Sequence, residues 1–258
     1  MGDTLVRYSG TESTVTIPDG VRVIGENAFK NNDYVLNVIC PDSLEEIGYR
    51  AFYDCDNLQS VSLPETLKVI NEGAFYYCEN LKTLGHTDDG VLPKGLTSIG
   101  VKAFYFCEAL EGDLVIPEGV TSLSAGMFYN AYTLTSITIP DTVTSMDANG
   151  DQFANCAAVT SVTLSKNLTE LPKTAFFTCK SLKHLPDLSN VTSVGTSCFA
   201  GCAALEEMVI PESLTFIGAN AFARSSLTEI TVPGDPTGLA SPFYNSLNPP
   251  TFVAPPLT

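Results

Sequence analysis

The eight cysteines are the residues of this sequence with the greatest capacity for chemistry, since thiolates bind metals, attack electrophiles and form disulfides. Six of them stand three residues after a recurring phenylalanine: Cys55, Cys78, Cys107, Cys156, Cys179 and Cys202. Asn32, Ala131 and Ser225 fill the same position elsewhere, which is typical of a small buried side chain. The sequence contains no Cys-x-x-Cys pair. We therefore predict buried free thiols, with neighbouring repeats farther apart than the roughly 7 Å between Cα atoms that a disulfide allows.

Other reactive groups are sparse. The two histidines, His86 and His184, are distant in sequence and give no cluster for metal binding or general base catalysis. Segment 147–151 has the alternating oxygen ligands of a calcium loop, but Ala158 stands where such a loop needs glutamate, so a solvated turn is the simpler interpretation. Motifs of serine hydrolases, zinc proteases and nucleotide-binding loops are absent from the sequence. We predict no catalytic residue, metal site or cofactor, and hence a protein that is not an enzyme.

The composition excludes two classes of partner. With 29 acidic and 13 basic residues the net charge is −16, which disfavours contact with nucleic acid phosphates. No segment approaches the roughly 18 to 20 apolar residues of a membrane helix, so membrane insertion is not expected. Residues 1–10 lack the basic start and apolar stretch of an export signal. Any signal or anchor is therefore expected outside this chain.

The framework that positions these residues is a repeat. A phenylalanine recurs, mostly at intervals of 23 residues, at Phe29, Phe52, Phe75, Phe104, Phe128, Phe153, Phe176, Phe199 and Phe222. Each unit is too small to bury its own apolar side, so successive units must stack and share a continuous core. The regular spacing predicts a solenoid with one coil for each repeat.

Each coil has a recognisable order of elements. Around Val61 the residues alternate apolar and polar, which predicts a short strand whose outward side chains include Ser60 and Ser62. Pro64 then ends the strand because it donates no backbone hydrogen bond. Apolar residues at intervals of three to four over 67–78 predict a short helical or 3₁₀ turn on the other side. The sequence thus predicts an α/β solenoid of coils of about 23 residues.

We assign the whole chain, 1–258, to one domain with a cap at each end. An N-terminal cap, 1–17, is predicted to be a hairpin in which segment 4–8 pairs with segment 14–17. The repeats occupy 18–233, and an irregular C-terminal cap, 234–258, includes a last strand at 251–253. Extra residues at 85–90 and 148–151 predict surface loops.

The repeated motifs resemble a known family. Residues 24–29 (Ile-Gly-Glu-Asn-Ala-Phe), 47–55 and 217–222 are similar to BspA-type leucine-rich repeats, and the similarity extends over about residues 14–233. The resemblance implies a curved leucine-rich repeat superhelix with a concave β-sheet, in a family of surface-exposed or secreted bacterial and protozoan proteins to which adhesion is usually attributed. It supplies no catalytic residues. Departures at Ser165, 110–114 and 185–188 predict locally distorted coils.

Two rows of side chains are candidate binding surfaces. The first follows the outward strand positions, where hydroxyls dominate: Asn37, Ser60, Ser62, Ser136, Thr138, Ser161, Thr163, Glu207, Glu229 and Thr231. Small hydroxyls solubilise an exposed sheet, but side by side at about 4.8 Å they also form a docking surface for a protein or glycan. The second row comes one residue after the repeat phenylalanine: Tyr53, Tyr76, Tyr105, Tyr129 and Phe177. Such aromatic rows anchor partners or cover the core.

These observations predict a non-enzymatic, extracellular or cell-surface module for binding or adhesion. Its partner would be a protein or glycan, including one derived from a host. The alternative is a structural spacer, a stalk that holds another part of a cell-surface protein away from the cell and binds nothing itself.

Overall fold

The computed structural model describes residues 3–85, 91–231 and 251–253. Within these ranges the chain forms short strands and no helix. In chain order the strands are β1 (Thr4–Leu5), β2 (Thr14–Thr16), β3 (Val23–Ile24), β4 (Asn37–Ile39), β5 (Glu46–Ile47), β6 (Ser60–Ser62), β7 (Val69–Ile70), β8 (Ser98–Ile99), β9 (Gly112–Val115), β10 (Ser122–Leu123), β11 (Leu134–Thr138), β12 (Ser145–Met146), β13 (Ser161–Thr163), β14 (Glu170–Leu171), β15 (Ser193–Val194), β16 (Glu207–Val209), β17 (Phe216–Ile217), β18 (Glu229–Thr231) and β19 (Thr251–Val253).

The strands form two rows of parallel sheets along the solenoid. We call the first row the first sheet face; it comprises the sheets β2-β4-β6, β9-β11-β13 and β16-β18-β19. The second sheet face comprises β1-β3-β5-β7-β8, β10-β12 and β14-β15-β17. Within each sheet, the strands of successive coils pair in parallel, as Thr14 does with Asn37 and Asn37 with Ser60. The chain is therefore a parallel β-solenoid of coils of about 23 residues.

The third side of each coil, which we call the turn face, carries the repeat phenylalanine and is not helical. In all nine coils the residues two before and two after that phenylalanine have positive φ, as do Asn27 (φ 55) and Asn31 (φ 59) in the first coil. The N–H groups of Asn27, Phe29 and Asn31 donate to carbonyls of the next coil at 3.0, 2.7 and 2.9 Å. A helix would need uniformly negative φ and bonds within its own segment. The predicted helical or 3₁₀ turns are wrong.

Local turns explain the helix-like spacing of the sequence. The intervening N–H groups of the first coil bond three residues back, from Ala28 to Gly25 and from Lys30 to Asn27. These bonds bring residues three to four apart onto one side, but each left-handed residue ends the turn before a helix can form. The alternate donors then point to the next coil and join the coils on this side as well.

The core is a ladder of stacked phenylalanine rings. All nine repeat phenylalanines are at most 1% exposed. Most successive ring centroids lie between 4.7 and 5.6 Å apart, but Phe128 and Phe153 are 6.2 Å apart. The buried residues that precede these two rings are Met127 and Gln152, where most coils have alanine. The wider separation thus coincides with the two larger side chains.

The cysteines form a second ladder beside the rings. All eight are free, as predicted, and the six ladder thiols each donate to the carbonyl of the phenylalanine in the preceding coil at 3.0–3.4 Å. The predicted wide spacing is wrong, because backbone hydrogen bonds join the coils on this side. The thiols are directed instead at backbone oxygens. Burial raises the pKa of Cys55 to about 12, so the reactive thiolate is strongly disfavoured.

The two ends differ in how far they follow the predictions. The N-terminal hairpin is wrong, since β1 pairs in parallel with β3 and β2 in parallel with β4, on two different faces. The Tyr8 ring stacks on Phe29 at 5.1 Å, so the first residues form an incomplete coil that covers the end of the ring ladder. The last strand at Thr251–Val253 is confirmed as β19, paired with β18. Residues 86–90 of the first predicted loop, and most of the C-terminal cap, lie outside the described residues.

Candidate functional site

The outward hydroxyls of the first sheet face do not form one continuous surface. They fall into three groups, which correspond to the three separate sheets of that face. Among the described residues, single bridges extend the ladder between the groups, from Ser60 to Thr83 and from His184 to Glu207. The irregular coils coincide with the 29-residue interval and with the displaced segment 185–188.

The first group contains Asn37, Ser60 and Ser62, and the second contains Ser136, Thr138, Ser161 and Thr163. The third contains Glu207, Glu229 and Thr231, of which Glu229 is placed by its backbone in β18. Exposed apolar side chains interrupt the hydroxyls at Ile39 (46% exposed) and Val209 (69%). The face thus presents short polar patches in place of a uniform hydroxyl surface.

Several of these polar groups already bond to each other. The Ser60 hydroxyl donates to Asn37 Oδ1 at 2.7 Å. The hydroxyls of Thr135 and Ser136 donate to one oxygen of Asp113 at 2.6 and 2.7 Å, and these bonds lower the pKa of that carboxyl. Groups that bond to neighbours gain less from a ligand, because binding must break or share those bonds.

Asp113 was not among the predicted residues. A register shift between Leu134 and Ser136, together with the left-handed Gly112 (φ 103), places it opposite Ser136 on the outward side. The extra residue in segment 110–114 is the signal that could have revealed it.

A row of threonines on the second sheet face also escaped prediction. Threonine stands at the entry to the second strand in six successive coils, all exposed: Thr97, Thr121, Thr144, Thr169, Thr192 and Thr215. The hydroxyl of Thr192 donates to the carbonyl of Thr169, and that of Thr215 to the carbonyl of Thr192, both at 3.1 Å. The row therefore reinforces contacts between coils. In the sequence, this threonine recurs two residues before the second, mostly buried residue of the strand, so the row could have been predicted.

Four of the five predicted aromatic residues come together on the turn face. Tyr53, Tyr76, Tyr105 and Tyr129, which we call the tyrosine stripe, stack at centroid distances of 5.3, 4.9 and 4.5 Å with interplanar angles of 10–12°. Each is partly exposed. Since the ring faces cover one another, the stripe presents ring edges and hydroxyls outward. The fifth residue, Phe177, makes no ring contact within the described residues.

Further aromatic rings widen the stripe on one side. Tyr77 meets Tyr76 edge to face at 4.6 Å, and Phe106 lies 4.9 Å from Tyr77. Both occupy the left-handed position two residues after the repeat phenylalanine, where most coils have a smaller or more polar residue. The central coils thus present an aromatic surface two residues wide.

Charged groups border the stripe. Arg50 lies 5.1 Å from the centroid of the Tyr53 ring, Lys30 lies 5.1 Å from the same ring, and Lys102 lies 5.1 Å from Tyr105. A row of carboxylates follows four residues after the repeat phenylalanine in four successive coils: Asp33, Asp56, Glu79 and Glu108. Arg50 and Lys102 thus precede the tyrosine of their coil by three residues, Lys30 occupies the stripe position of the first coil, and the carboxylates follow the stripe position by three residues.

The ionisation of these groups follows from burial and from their neighbours. Burial, and secondarily Glu79, raises the pKa of Glu108; burial, then Asp54 and Asp33, raises that of Asp56. Burial, followed by the neighbouring tyrosines, raises the pKa of Tyr105 to about 12. The Tyr105 phenol therefore remains a neutral hydrogen-bond donor at physiological pH.

The described residues contain no group of three or more histidine, cysteine, aspartate or glutamate side chains that could hold a metal ion. The segment that has the pattern of a calcium loop is a turn in which Asp147 Oδ1 accepts a bond from the Asn149 N–H at 2.8 Å. As for membrane contact, the described ranges include no helix able to cross a bilayer.

The fold and its repeated surfaces define a leucine-rich repeat solenoid. The family described as "BspA type Leucine rich repeat region" matches in six copies, over residues 6–89, 87–185 and 127–248. The chain belongs to this family, as the repeat motifs had suggested. Proteins with such repeats are generally non-enzymatic, and the family is consistent with a module for binding or adhesion.

Solved structures of bacterial proteins share this fold. A leucine rich cell surface protein from Faecalibacterium prausnitzii is 25% identical with a TM-score of 0.52, covering 96% of this chain and 90% of that one. A leucine-rich repeat protein from Bacteroides ovatus is 24% identical with a TM-score of 0.66, covering 98% and 73%. A leucine-rich repeat protein from T. pallidum is 24% identical with a TM-score of 0.51, covering 78% and 82%. No protein of curated function matches the chain.

Proposed function

We propose that this chain is a non-enzymatic binding module of a cell-surface protein, and that it binds a protein partner through the tyrosine stripe. The observation that carries the proposal is the unbroken stack of four partly exposed tyrosine rings across successive coils. Tyrosine is enriched where proteins bind each other, because it combines a rigid apolar ring with a polar hydroxyl. The name of the Faecalibacterium protein supports a location at the cell surface.

The stripe is better suited to this role than the first sheet face. The sheet hydroxyls fall into three separate groups, and Ser60 and Ser136 already donate to neighbouring side chains. Serine is depleted in interfaces relative to the rest of a protein surface. The tyrosine rings, in contrast, form one continuous row that widens at Tyr77 and Phe106.

The stripe is also preorganised. Each interior ring lies between two others, so little side-chain entropy remains to be lost when a partner binds. The charges on its two sides then orient the partner: acidic groups of the partner face Arg50 and Lys102, and basic groups face Glu79 and Glu108. Such bordering charges affect the association rate and salt dependence more than the affinity.

The test is a screen of purified extracellular host proteins and glycans, followed by titration of any saturable ligand against variants. Tyr76→Ser and Tyr105→Ser should each weaken binding about tenfold or more, as expected for central interface tyrosines. The conservative Tyr105→Phe keeps the stacked ring and should weaken binding less. Thermal unfolding of each variant shows whether the solenoid is intact.

Ser62→Lys and Thr163→Lys on the first sheet face are the matched controls and should leave binding unchanged. Loss of binding in these variants, with the stripe variants unaffected, would move the site to the sheet. Absence of any saturable ligand would favour the structural spacer.

A further inference from the structure

The turn face contains a break in its aromatic row. One residue after the repeat phenylalanine, the tyrosine stripe gives way to Ala154, then Phe177, and then to Ala200 and Ala223. Within the stripe, the rings of Tyr53, Tyr76 and Tyr105 are each covered by the ring of the next coil at 4.5–5.3 Å. Beyond Phe177 the two following coils supply only alanine, so the space that a covering ring would fill is left open.

That space is a groove of about 310 Å³. Its walls and floor are formed by Phe177, Thr178, Ser197, Ala200, Gly201, Asn220, Ala223 and Arg224. The floor is fixed by bonds between coils, from the Thr178 N–H to the Ala200 carbonyl and from the Gly201 N–H to the Ala223 carbonyl, both at 2.7 Å. A groove with an apolar floor and a few polar groups around it is typical of a site for a small group.

The polar groups of the groove are available to a ligand. Among the described residues, the side chains of Thr178, Ser197 and Asn220 make no hydrogen bond, and Arg224 is exposed and makes no ion pair. In a chain with a net charge of −16 an unpaired arginine beside an apolar groove attracts a carboxylate, which it can bind through two parallel bonds. None of the residues that line the groove is acidic.

We infer that this groove binds an aromatic side chain of a partner protein that has an aspartate or glutamate next to it in sequence. The aromatic ring would stack on Phe177 as the next tyrosine does in the stripe, and the carboxylate would bind Arg224. The stacked rings of the tyrosine stripe are the model for this arrangement. The inference rests on the proposed function only in taking a protein as the partner, and it concerns a different part of the turn face.

The test uses short peptides and the intact chain. Acetyl-Glu-Tyr-Gly-amide titrated into ¹⁵N-labelled protein should shift the amide signals of residues 177–178, 197–201 and 220–224, with an affinity in the millimolar range typical of one small anchor. Acetyl-Glu-Ala-Gly-amide should not bind, and acetyl-Lys-Tyr-Gly-amide should bind about tenfold more weakly. Arg224→Gln should remove that difference between the glutamate and lysine peptides.

Ala200→Tyr is the decisive variant, because it supplies the missing ring and should fill the groove without loss of thermal stability. It should abolish peptide binding, whereas Ala203→Tyr, at an exposed position outside the groove, should not. Peptide binding that persists in Ala200→Tyr, shifts confined to other residues, or tighter binding of methyl β-glucoside than of the peptide would overturn the inference. The stripe variants do not enter this titration, so either proposal can fail alone.

Discussion

The ring ladder predicts how a single core substitution affects the whole solenoid. Phe75 is fully buried, and its ring stacks on Phe52 at 5.0 Å and on Phe104 at 5.1 Å. Phe75→Ala removes the ring from both stacks and leaves a cavity between coils. Losses for such a substitution are about 3 to 5 kcal/mol in the free energy of unfolding.

A second variant separates burial from stacking. Phe75→Leu keeps most of the apolar volume but removes two aromatic contacts, each worth about 0.5 to 1.5 kcal/mol beyond burial. We therefore expect Phe75→Leu to cost about 1 to 3 kcal/mol, clearly less than alanine. The partly exposed neighbour Tyr76 is the matched control, since Tyr76→Ala lets water reach the vacated space.

The assay is urea unfolding followed by circular dichroism, with the slope of each transition compared to the unsubstituted chain. Because coils interact mainly with their neighbours, partial unfolding around Phe75 would lower that slope. Hydrogen exchange would then show faster opening near Phe52 and Phe104 than in distant coils. A loss below about 1 kcal/mol for Phe75→Ala, the level of ordinary surface changes, would refute the ladder as the basis of stability.

Three further predictions concern the polar groups. Alkylation of the native protein at pH 8 should modify the ladder cysteines far more slowly than alkylation after denaturation, when all eight cysteines react. The reason is that burial disfavours the thiolate, and it raises the pKa of Cys55 to about 12. Rapid alkylation of Cys55 in the native protein would contradict this. Thr135→Val should raise the pKa of Asp113 by removing a donor to the carboxylate, measurable by NMR titration. Because folding lowers the pKa of Asp113, its carboxylate stabilises the protein at pH values above the pKa of the unfolded state. This stabilisation is lost as the pH falls through the pKa of the folded state. An unchanged pKa of Asp113 in Thr135→Val would reject the assigned bond. Gln152→Met should leave the thermal stability unchanged or raise it, because buried Gln152 Oε1 has no hydrogen-bond partner and the previous coil has methionine at the same position. A clear loss of thermal stability would show that the bond from the Gln152 side-chain amide to the Asp147 carbonyl contributes more than the unpaired oxygen costs.

Periodicity was enough to predict the solenoid but not its third side. The recurring phenylalanine determined coil length and core, and the alternation around Val61 identified the strand of its coil. Apolar spacing over 67–78 predicted a helix because successive turns and a helix produce nearly the same spacing. The better signal was the frequent asparagine, aspartate or glycine at the left-handed positions, as at Asn27 and Asn31, since these residues tolerate positive φ.

The sequence predicted which residues form the candidate surfaces, but not whether those residues form one continuous surface. Outward positions such as Ser60 and Thr163 follow from the period of a strand. Whether such residues share one sheet depends on pairing between coils, which an irregular coil interrupts at Thr83 and again at His184. The groove at Phe177 could likewise be recognised only by comparing the same position in successive coils, because each alanine by itself is an ordinary core residue.

The hydrogen bonds between coils on the turn face have a mechanical consequence. They run along the solenoid axis, like the hydrogen bonds of the sheets. Tension between the two ends of the chain therefore pulls on the bonds of one coil at a time, and it does not shear the bonds of many coils together. Opening one coil releases about 23 residues, or roughly 75 Å of extended chain at about 3.3 Å per residue. We expect single-molecule pulling to give a series of similar small steps, and one rupture of the whole chain would contradict this. A solenoid tethered at one end and bound at the other would therefore lengthen in stages and limit the force that reaches its ligand.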